Sequence, residues 1–466
     1  MKSLLTFLSL LMAGTTLAQT MPADPAPQSV KPADLVAAAK PSLVIVQFTY
    51  DGELGRREVA GMGVVVRDDG LTMFSIDLTP RPIPDEQLKD FKIVIPGDEE
   101  IEHDAEFLGR DERYGVSFIK PTKADQKFTP LKFVQKNVEI GQPVHSVGLL
   151  PKMAGYSTYY ASAIVSASLR GPIPQILVGG GGLAVIGSPV FDSAGQAIGL
   201  VNSQSERTPL LNEPRAAYIT VDNPPLFYTP ASDFLPGITS PPESGKPIRM
   251  PFMGINQLTG LSKDVAEFYG LKGQVAIQIG DVVPGFPADK GGLKKGHIIV
   301  KADGQPLERG DEPEEAPLIF TRKLSQKNIG DKVVLSVITE TGKPPQDMEI
   351  TLEERPMPST RAKRYYAEDL GFTTRDVVFD DTYQRKIAKD SKGVVITFIR
   401  PQSASQAAQL QMNDLVQQLN QTPVTNVEQF KTDYTKFRTD RSHEAVVLEV
   451  LRQGNTQIIR IEPPKE

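Results

Sequence analysis

The 466-residue chain contains no cysteine. Disulfides and thiol chemistry are therefore excluded, and stability has to come from packing. Histidine is scarce: His103, His145, His297 and His443 are the full set. Imidazole-based acid–base or metal chemistry thus has few places to sit. No run is apolar over the roughly 20 residues that a membrane-spanning helix requires. No excess of positive charge is present either. Lys and Arg number 51 against 57 Asp and Glu, a net charge of −6, which argues against a nucleic-acid partner. What is present is a hydrophobic fraction of 39%, enough to build cores. The length suits roughly three domains of about 150 residues.

Residues 1–18 read as a secretory signal peptide. Lys2 supplies the positive start, Leu4 to Ala13 the short apolar core, and Thr16-Leu17-Ala18 a small-x-small cleavage site. The alternative is a buried N-terminal helix. The signal reading predicts a periplasmic or secreted mature protein without a membrane span.

A Pro/Ala-rich spacer (residues 21–32) precedes a helix expected over 33–39. Short strands then dominate. Ser42 to Tyr50 is a β-branched run, and Val59–Val66 and Leu71–Ser75 flank Asp69-Gly70, a strong hairpin signal. Further strands are expected at 92–95, 105–109, 116–119, 143–147, 157–168, 176–178, 189–192 and 197–202. This spacing predicts a β-barrel or sandwich region. Pro and Gly thicken between Asn223 and Pro251, which reads as a linker over 226–250. Beyond it two segments of about 100 residues repeat one pattern. The first holds Gly273-Gln274-Val275, then Pro287-Ala288 and Gly291-Gly292-Leu293-Lys294-Lys295-Gly296. The second holds Gly393-Val394-Val395, then Pro401, Ala407-Ala408 and Leu410. Tandem copies of one α+β module are expected over 251–356 and 365–463.

Those repeats resemble PDZ domains of bacterial periplasmic proteases. The order of signal, β region and two such modules resembles the HtrA/Deg family over nearly the whole mature chain. The resemblance implies a mostly β chain: a trypsin-like double β-barrel over 33–225, then two α+β PDZ domains. It also locates three positions of a catalytic triad. The family's "DG-x-x-LTN-x-H-V" strand matches Asp69 to Leu78 and puts Asp77 at the histidine. Its "D-L-A-L-L-K" strand matches Gly115 to Lys120 and puts Gly115 at the aspartate. Its "G-N-S-G-G-P-L" loop matches Ala184 to Val190 and puts Ile186 at the nucleophile. Isoleucine offers no nucleophile, a carboxylate is a poor base for a hydroxyl, and glycine orients nothing. The resemblance therefore implies a pseudoprotease rather than an enzyme, with neither cofactor nor metal.

Other residues carry competing readings. Ser188 offers a displaced nucleophile and thus an active endopeptidase with a rearranged site. His145 reads as a strand residue. His103 sits in the charged run Asp98–Asp104, read as a solvated turn with only loose capacity for a divalent cation. Gly179–Gly182 lacks the lysine and helix of a phosphate loop and reads as a mobile loop beside the nucleophile position. The PDZ resemblance implies that a peptide adds to a sheet edge while loop amides hold its terminal carboxylate. The loop residues are Phe252, Met253, Gly254 and Ile255 in the first module and Leu370, Gly371 and Phe372 in the second. The helix near 426–434 would form the opposite wall there. Expected partners are peptides or protein C-termini, an active relative, and further copies of the chain. A purely structural assembly subunit is the remaining reading.

Overall fold

The computed structural model describes residues 29–463, except 53–54, 81–82, 124–126, 170–172, 203–225, 247, 311–312, 314 and 385–390. The expected signal peptide lies outside the described residues. A short helix, α1 (Pro32–Ala39), starts on proline at its first position, where the missing N–H costs nothing. Six antiparallel strands then close a first barrel: β1 (Leu43–Gly52), β2 (Gly55–Val65), β3 (Thr72–Ser75), β4 (Leu88–Ile95), β5 (Ile101–Asp111) and β6 (Val116–Pro121). Six more close a second: β7 (Pro143–Leu149), β8 (Thr158–Leu169), β9 (Gln175–Gly179), β10 (Pro189–Asp192), β11 (Ala197–Val201) and β12 (Phe227–Pro230).

The apolar run of β1 has a physical reason. Side chains alternate across a strand. Val44, Val46 and Phe48 fill the first barrel. Leu43 and Ile45 instead join the core between barrels, with Met62, Phe191, Leu200 and Phe234. A strand buried on both faces is apolar except where a polar side chain finds a partner, as the buried Gln47 does in donating to Tyr156 Oη. The Asp-Gly signal marks a true turn: Gly70 has φ +80° and donates to Arg67 O. Asp69 accepts from Arg67 and from Leu71 N–H. Those bonds and Lys120 hold its carboxyl down at about 2 against the opposing effect of burial.

The linker expected over 226–250 is corrected. Its first half carries β12, which pairs with β11 and β9 and closes the second barrel. It also carries helix α2 (Ala231–Thr239), which contains Pro236. Phe227, Tyr228 and Phe234 are buried there; this apolar content outweighs the Pro/Gly composition. The barrel domain thus extends past residue 225.

The first module contains β13 (Pro251–Phe252), β14 (Ile255–Gly260), α3 (Lys263–Phe268), β15 (Ile277–Val282), α4 (Pro287–Lys290), β16 (Ile298–Ala302), β17 (Gln305–Pro306), α5 (Glu315–Ser325), β18 (Lys332–Ile338), β19 (Gln346–Thr351) and β20 (Glu353–Glu354). Its sheet runs β14-β15-β16-β18-β19, while β13 pairs with β20. The second contains β21 (Arg364–Ala367), β22 (Phe372–Asp376), α6 (Phe379–Gln384), β23 (Val394–Ile399), α7 (Ala404–Ala407), β24 (Leu415–Leu419), β25 (Thr422–Pro423), α8 (Val427–Asp440), β26 (Val446–Arg452) and β27 (Asn455–Ile461). Its sheet runs β21-β22-β23-β24-β26-β27. The repeat read from sequence is therefore a repeat of topology, with one strand added in the second copy.

Candidate functional site: the interbarrel seam and the peptide groove

β3 ends at Ser75, and the chain turns through a 3-10 helix, Ile76–Leu78. Ser75 Oγ accepts the N–H of Asp77, at 3.3 Å. Asp77 is exposed. Ile76 N–H donates to Gly115 O at 3.2 Å, which brings two of the aligned positions side by side. Gly115 closes a turn built on Asp111, whose buried carboxylate holds Arg113 through two bonds of 2.8 and 2.7 Å. Gly115 has φ +68°, with open space where a Cβ would project.

The third position lies across the seam. Ile186 is half-buried and precedes Gly187, which has φ +87° and passes so close to Met62 O that a Cβ would lie 2.9 Å away. Met62 belongs to β2, which pairs with β3. The structure therefore draws Asp77, Gly115 and Ile186 to one seam between the barrels.

Ser188 is fully buried. Its Oγ donates to Met62 Sδ at 3.2 Å. A thioether takes no proton from a hydroxyl. His145 is engaged elsewhere: its Nδ1 lies 2.6 Å from Tyr160 Oη. Burial holds its pKa below the ordinary histidine value, with Asp192 opposing.

A further residue was missed from sequence. In the trypsin-like arrangement the oxyanion hole uses the nucleophile's own N–H and the N–H two residues before it. Two residues before Ile186 is Ala184, and its N–H donates to the buried Ser146 Oγ at 2.6 Å. Ser146 lies on β7, 38 residues away, so no local motif announces the pairing.

Another expectation is corrected. His103 sits in β5, not in a solvated turn; its ring meets Phe128 edge-on at 5.4 Å. Its register partner is Ile93. The charged run nearby forms ion pairs, Lys92 with Glu102 and Lys152 with Glu100. Among the described residues no group of three or more His, Asp or Glu has the arrangement of a metal site. Gly179–Gly182 makes a close backbone approach: Gly179 ends β9, and Gly181 lies against Ser162 O, where a Cβ could not fit.

In the first module Met253 and Gly254 link β13 to β14. Gly254 has φ +90°, and a Cβ there would collide with Phe286. The loop is pinned through its carbonyls: Ala288 N–H donates to Met253 O at 2.7 Å and Val283 N–H to Gly254 O at 2.8 Å. Among the described residues, the N–H groups of Met253 and Gly254 have no acceptor. Phe252 stacks edge-on against Phe286 at 5.4 Å, Met253 is buried, and Ile255 is half-buried at the start of β14. β14 is the end strand of its sheet, and α5 packs beside it. An unpaired edge, free amides at its head and a helix alongside are what strand addition of a peptide requires.

The second module differs. Gly371 has φ +78° and abuts Ser403 as Gly254 abuts Phe286. Its N–H, however, donates to Ala367 O at 2.7 Å. Leu370 and Phe372 are fully buried, and β21 already pairs along the outer edge of β22. Leu370, Gly371 and Phe372 thus do not present the open groove expected of them. The tight turn of residues 368–371 folds the preceding segment onto the edge.

The modules are tied to their neighbours. Arg322 of α5 reaches Asp233 of α2 at 2.5 Å, both largely buried. Phe379 of α6 packs edge-on against Phe286 at 5.3 Å. Tyr383 donates to Asp281 Oδ2 at 2.8 Å, which also accepts from Asn256 of β14.

Sequence and fold comparisons agree with this anatomy. The PDZ-domain family pattern matches residues 254–327. A "probable periplasmic serine endoprotease DegP-like" of Marinomonas sp. is 25% identical over 416 residues, 87% of this chain and 79% of that one. Its counterpart in Pseudomonas savastanoi is 26% identical, covering 76% and 70%. For the Chlamydia pneumoniae counterpart, 23% identical, the match spans only 40% of that protein. Among solved structures, an HtrA-type protease AlgW with decapeptide superposes with a TM-score of 0.51 at 17% identity. The match covers 71% of this chain and 100% of that one. The same protease with tripeptide gives 0.52 at 18%, covering 71% and 99%. At such identities these superpositions show the fold alone. Two closed barrels with a PDZ module define a trypsin-like double-barrel scaffold joined to a PDZ domain. The chain thus contains a PDZ domain and is similar over most of its length to DegP-like proteins. Among the described residues no helix is long and apolar enough to cross a membrane.

Proposed function

We propose that this chain is an extracytoplasmic pseudoprotease that binds peptides or unfolded segments through its first PDZ module, as a chaperone-like adaptor or regulator. The observation that carries the binding half is the open β14 edge headed by the free Met253 and Gly254 amides. The non-hydrolytic half is supported by Asp77, Gly115 and Ile186 at the seam and by the Ala184 amide held by Ser146. The periplasmic placement is supported by the names of the relatives and by the leader-like residues 1–18. Association with an active relative or with further copies of the chain belongs to the same reading.

Casein incubated with the mature chain should stay intact, and Asp77→Ala and Ser188→Ala should change nothing. Cleavage lost in Ser188→Ala would establish the rearranged-site enzyme instead. An array of decapeptides with free C-termini, followed by calorimetry on the best binder, tests the binding half. Absence of any binder would favour the purely structural reading. Gly254→Val should weaken that binder at least about tenfold. A β-branched side chain at φ +90° both strains the backbone and drives into Phe286. Relief of that strain moves the loop out of the geometry in which its amides converge, and a loss of about 1.4 kcal/mol in binding is tenfold in affinity.

A further inference from the structure

The second module carries a strand that the first lacks in the equivalent place. In the first, β13 pairs with β20 and leaves β14 at the sheet end. In the second, β21 runs antiparallel to β22, with Arg364 opposite Arg375, Tyr365 opposite Thr374, Tyr366 opposite Thr373 and Ala367 opposite Phe372. The two loops are otherwise equivalent. Met253 O accepts from Ala288 N–H as Leu370 O does from Ser405 N–H, and Gly254 O accepts from Val283 N–H as Gly371 O does from Arg400 N–H.

β21 occupies the edge in the manner of an added peptide. Its C-terminal end points into the loop, where Ala367 O takes the Gly371 N–H at 2.7 Å. That is the place where a terminal carboxylate oxygen would accept the same bond. Alternate side chains of a strand share a face. Ala367, fully buried, fills the position of a last side chain. Tyr365, two residues earlier, packs against α8, with ring centroids 6.2 Å from Phe430 and 5.9 Å from Tyr434. The turn that delivers the strand is clamped: Asp369 accepts from Tyr434 Oη and Arg438 Nε, each at 2.6 Å.

We infer that Arg364–Ala367 is an intramolecular ligand of the second module. The module's exchangeable ligand is accordingly a peptide C-terminus with a small last residue and an aromatic residue two places before it. In the resting chain the first module alone is open, and the second takes a peptide when β21 is withdrawn. This does not depend on what the first module binds.

The probe is the synthetic hexapeptide Ala-Lys-Arg-Tyr-Tyr-Ala with a free carboxylate, the sequence of residues 362–367, beside its amidated form. The readout is amide hydrogen exchange of β22 in the full chain. In the unmodified chain β22 should be protected without peptide, and peptide should add nothing. In Tyr365→Ala, β22 should exchange at least tenfold faster. The free-acid peptide should restore protection, and the amidated one should do so at least tenfold less effectively. Free exchange of β22 in the unmodified chain, slowed by peptide, would overturn the inference. So would a Tyr365→Ala chain whose β22 opens, whose α8 stays protected, and which ignores the peptide. If Tyr365→Ala also loses α8 protection, Tyr365→Leu is read by the same criteria. A first module that binds nothing would leave these β22 signals unchanged, so the two readings fail separately.

Discussion

A chain carrying Asp77→His, Gly115→Asp and Ile186→Ser should hydrolyse casein at least about 100-fold more slowly than the same chain with Ser146→Ala added. The three positions lie along the seam between the barrels. Gly115 has open space beyond its Cα, and aspartate is among the residues that best tolerate the left-handed region it occupies. What the triple variant still lacks is a free donor for the developing oxyanion, because Ala184 N–H is bonded to Ser146 Oγ. Loss of one such donor costs about 10²–10³ in turnover, and removing the Ser146 hydroxyl releases it. Steady-state hydrolysis of fluorescent casein by the two variants is the measurement. Equal rates would mean that Ser146 does not withhold the amide. Inactivity of both would mean that the three positions do not assemble into a triad.

Asp233→Ala should destabilise the junction of barrel and first module by about 3–5 kcal/mol, read as a lower urea midpoint by circular dichroism. Arg322 is 13% exposed, and among the described residues its Nε has no acceptor. Removing Asp233 leaves a buried guanidinium uncompensated, the costly way to break such a pair. Replacing both partners, Asp233→Leu with Arg322→Met, should restore most of the loss, since the intact pair contributes little over apolar packing. Burial pushes the Asp233 carboxyl up to about 6 despite Arg322. The sign follows from linkage. Between about pH 4 and 6 the folded state holds a proton that the unfolded state has released. The contribution of this group is thus full below pH 4 and declines as pH rises through 6. The pH dependence of the urea midpoint, compared with Asp233→Asn, isolates it.

Legibility differed by element. Strands with β-branched runs, the Asp69-Gly70 turn and both repeats were readable because period, turn chemistry and repeat spacing are local. β12 and α2 were hidden because proline and glycine suggested a linker, whereas Phe227 and Phe234 find burial in cores built by distant residues. His103 was misread because its charged neighbours say nothing of the strand beside it.

By itself, then, the sequence determined the β-rich barrels, the tandem modules and the absence of thiol chemistry. Composition and short-range spacing decide those. Only the tertiary structure decided which amides and edges are available. Among the described residues Met253 and Gly254 have no acceptor for their N–H groups, while Ala184 and Gly371 have theirs taken by Ser146 and Ala367. Near-equivalent loop motifs reach opposite states because backbone hydrogen bonding depends on which strand lies alongside. Strand partners are chosen by the packed fold as a whole.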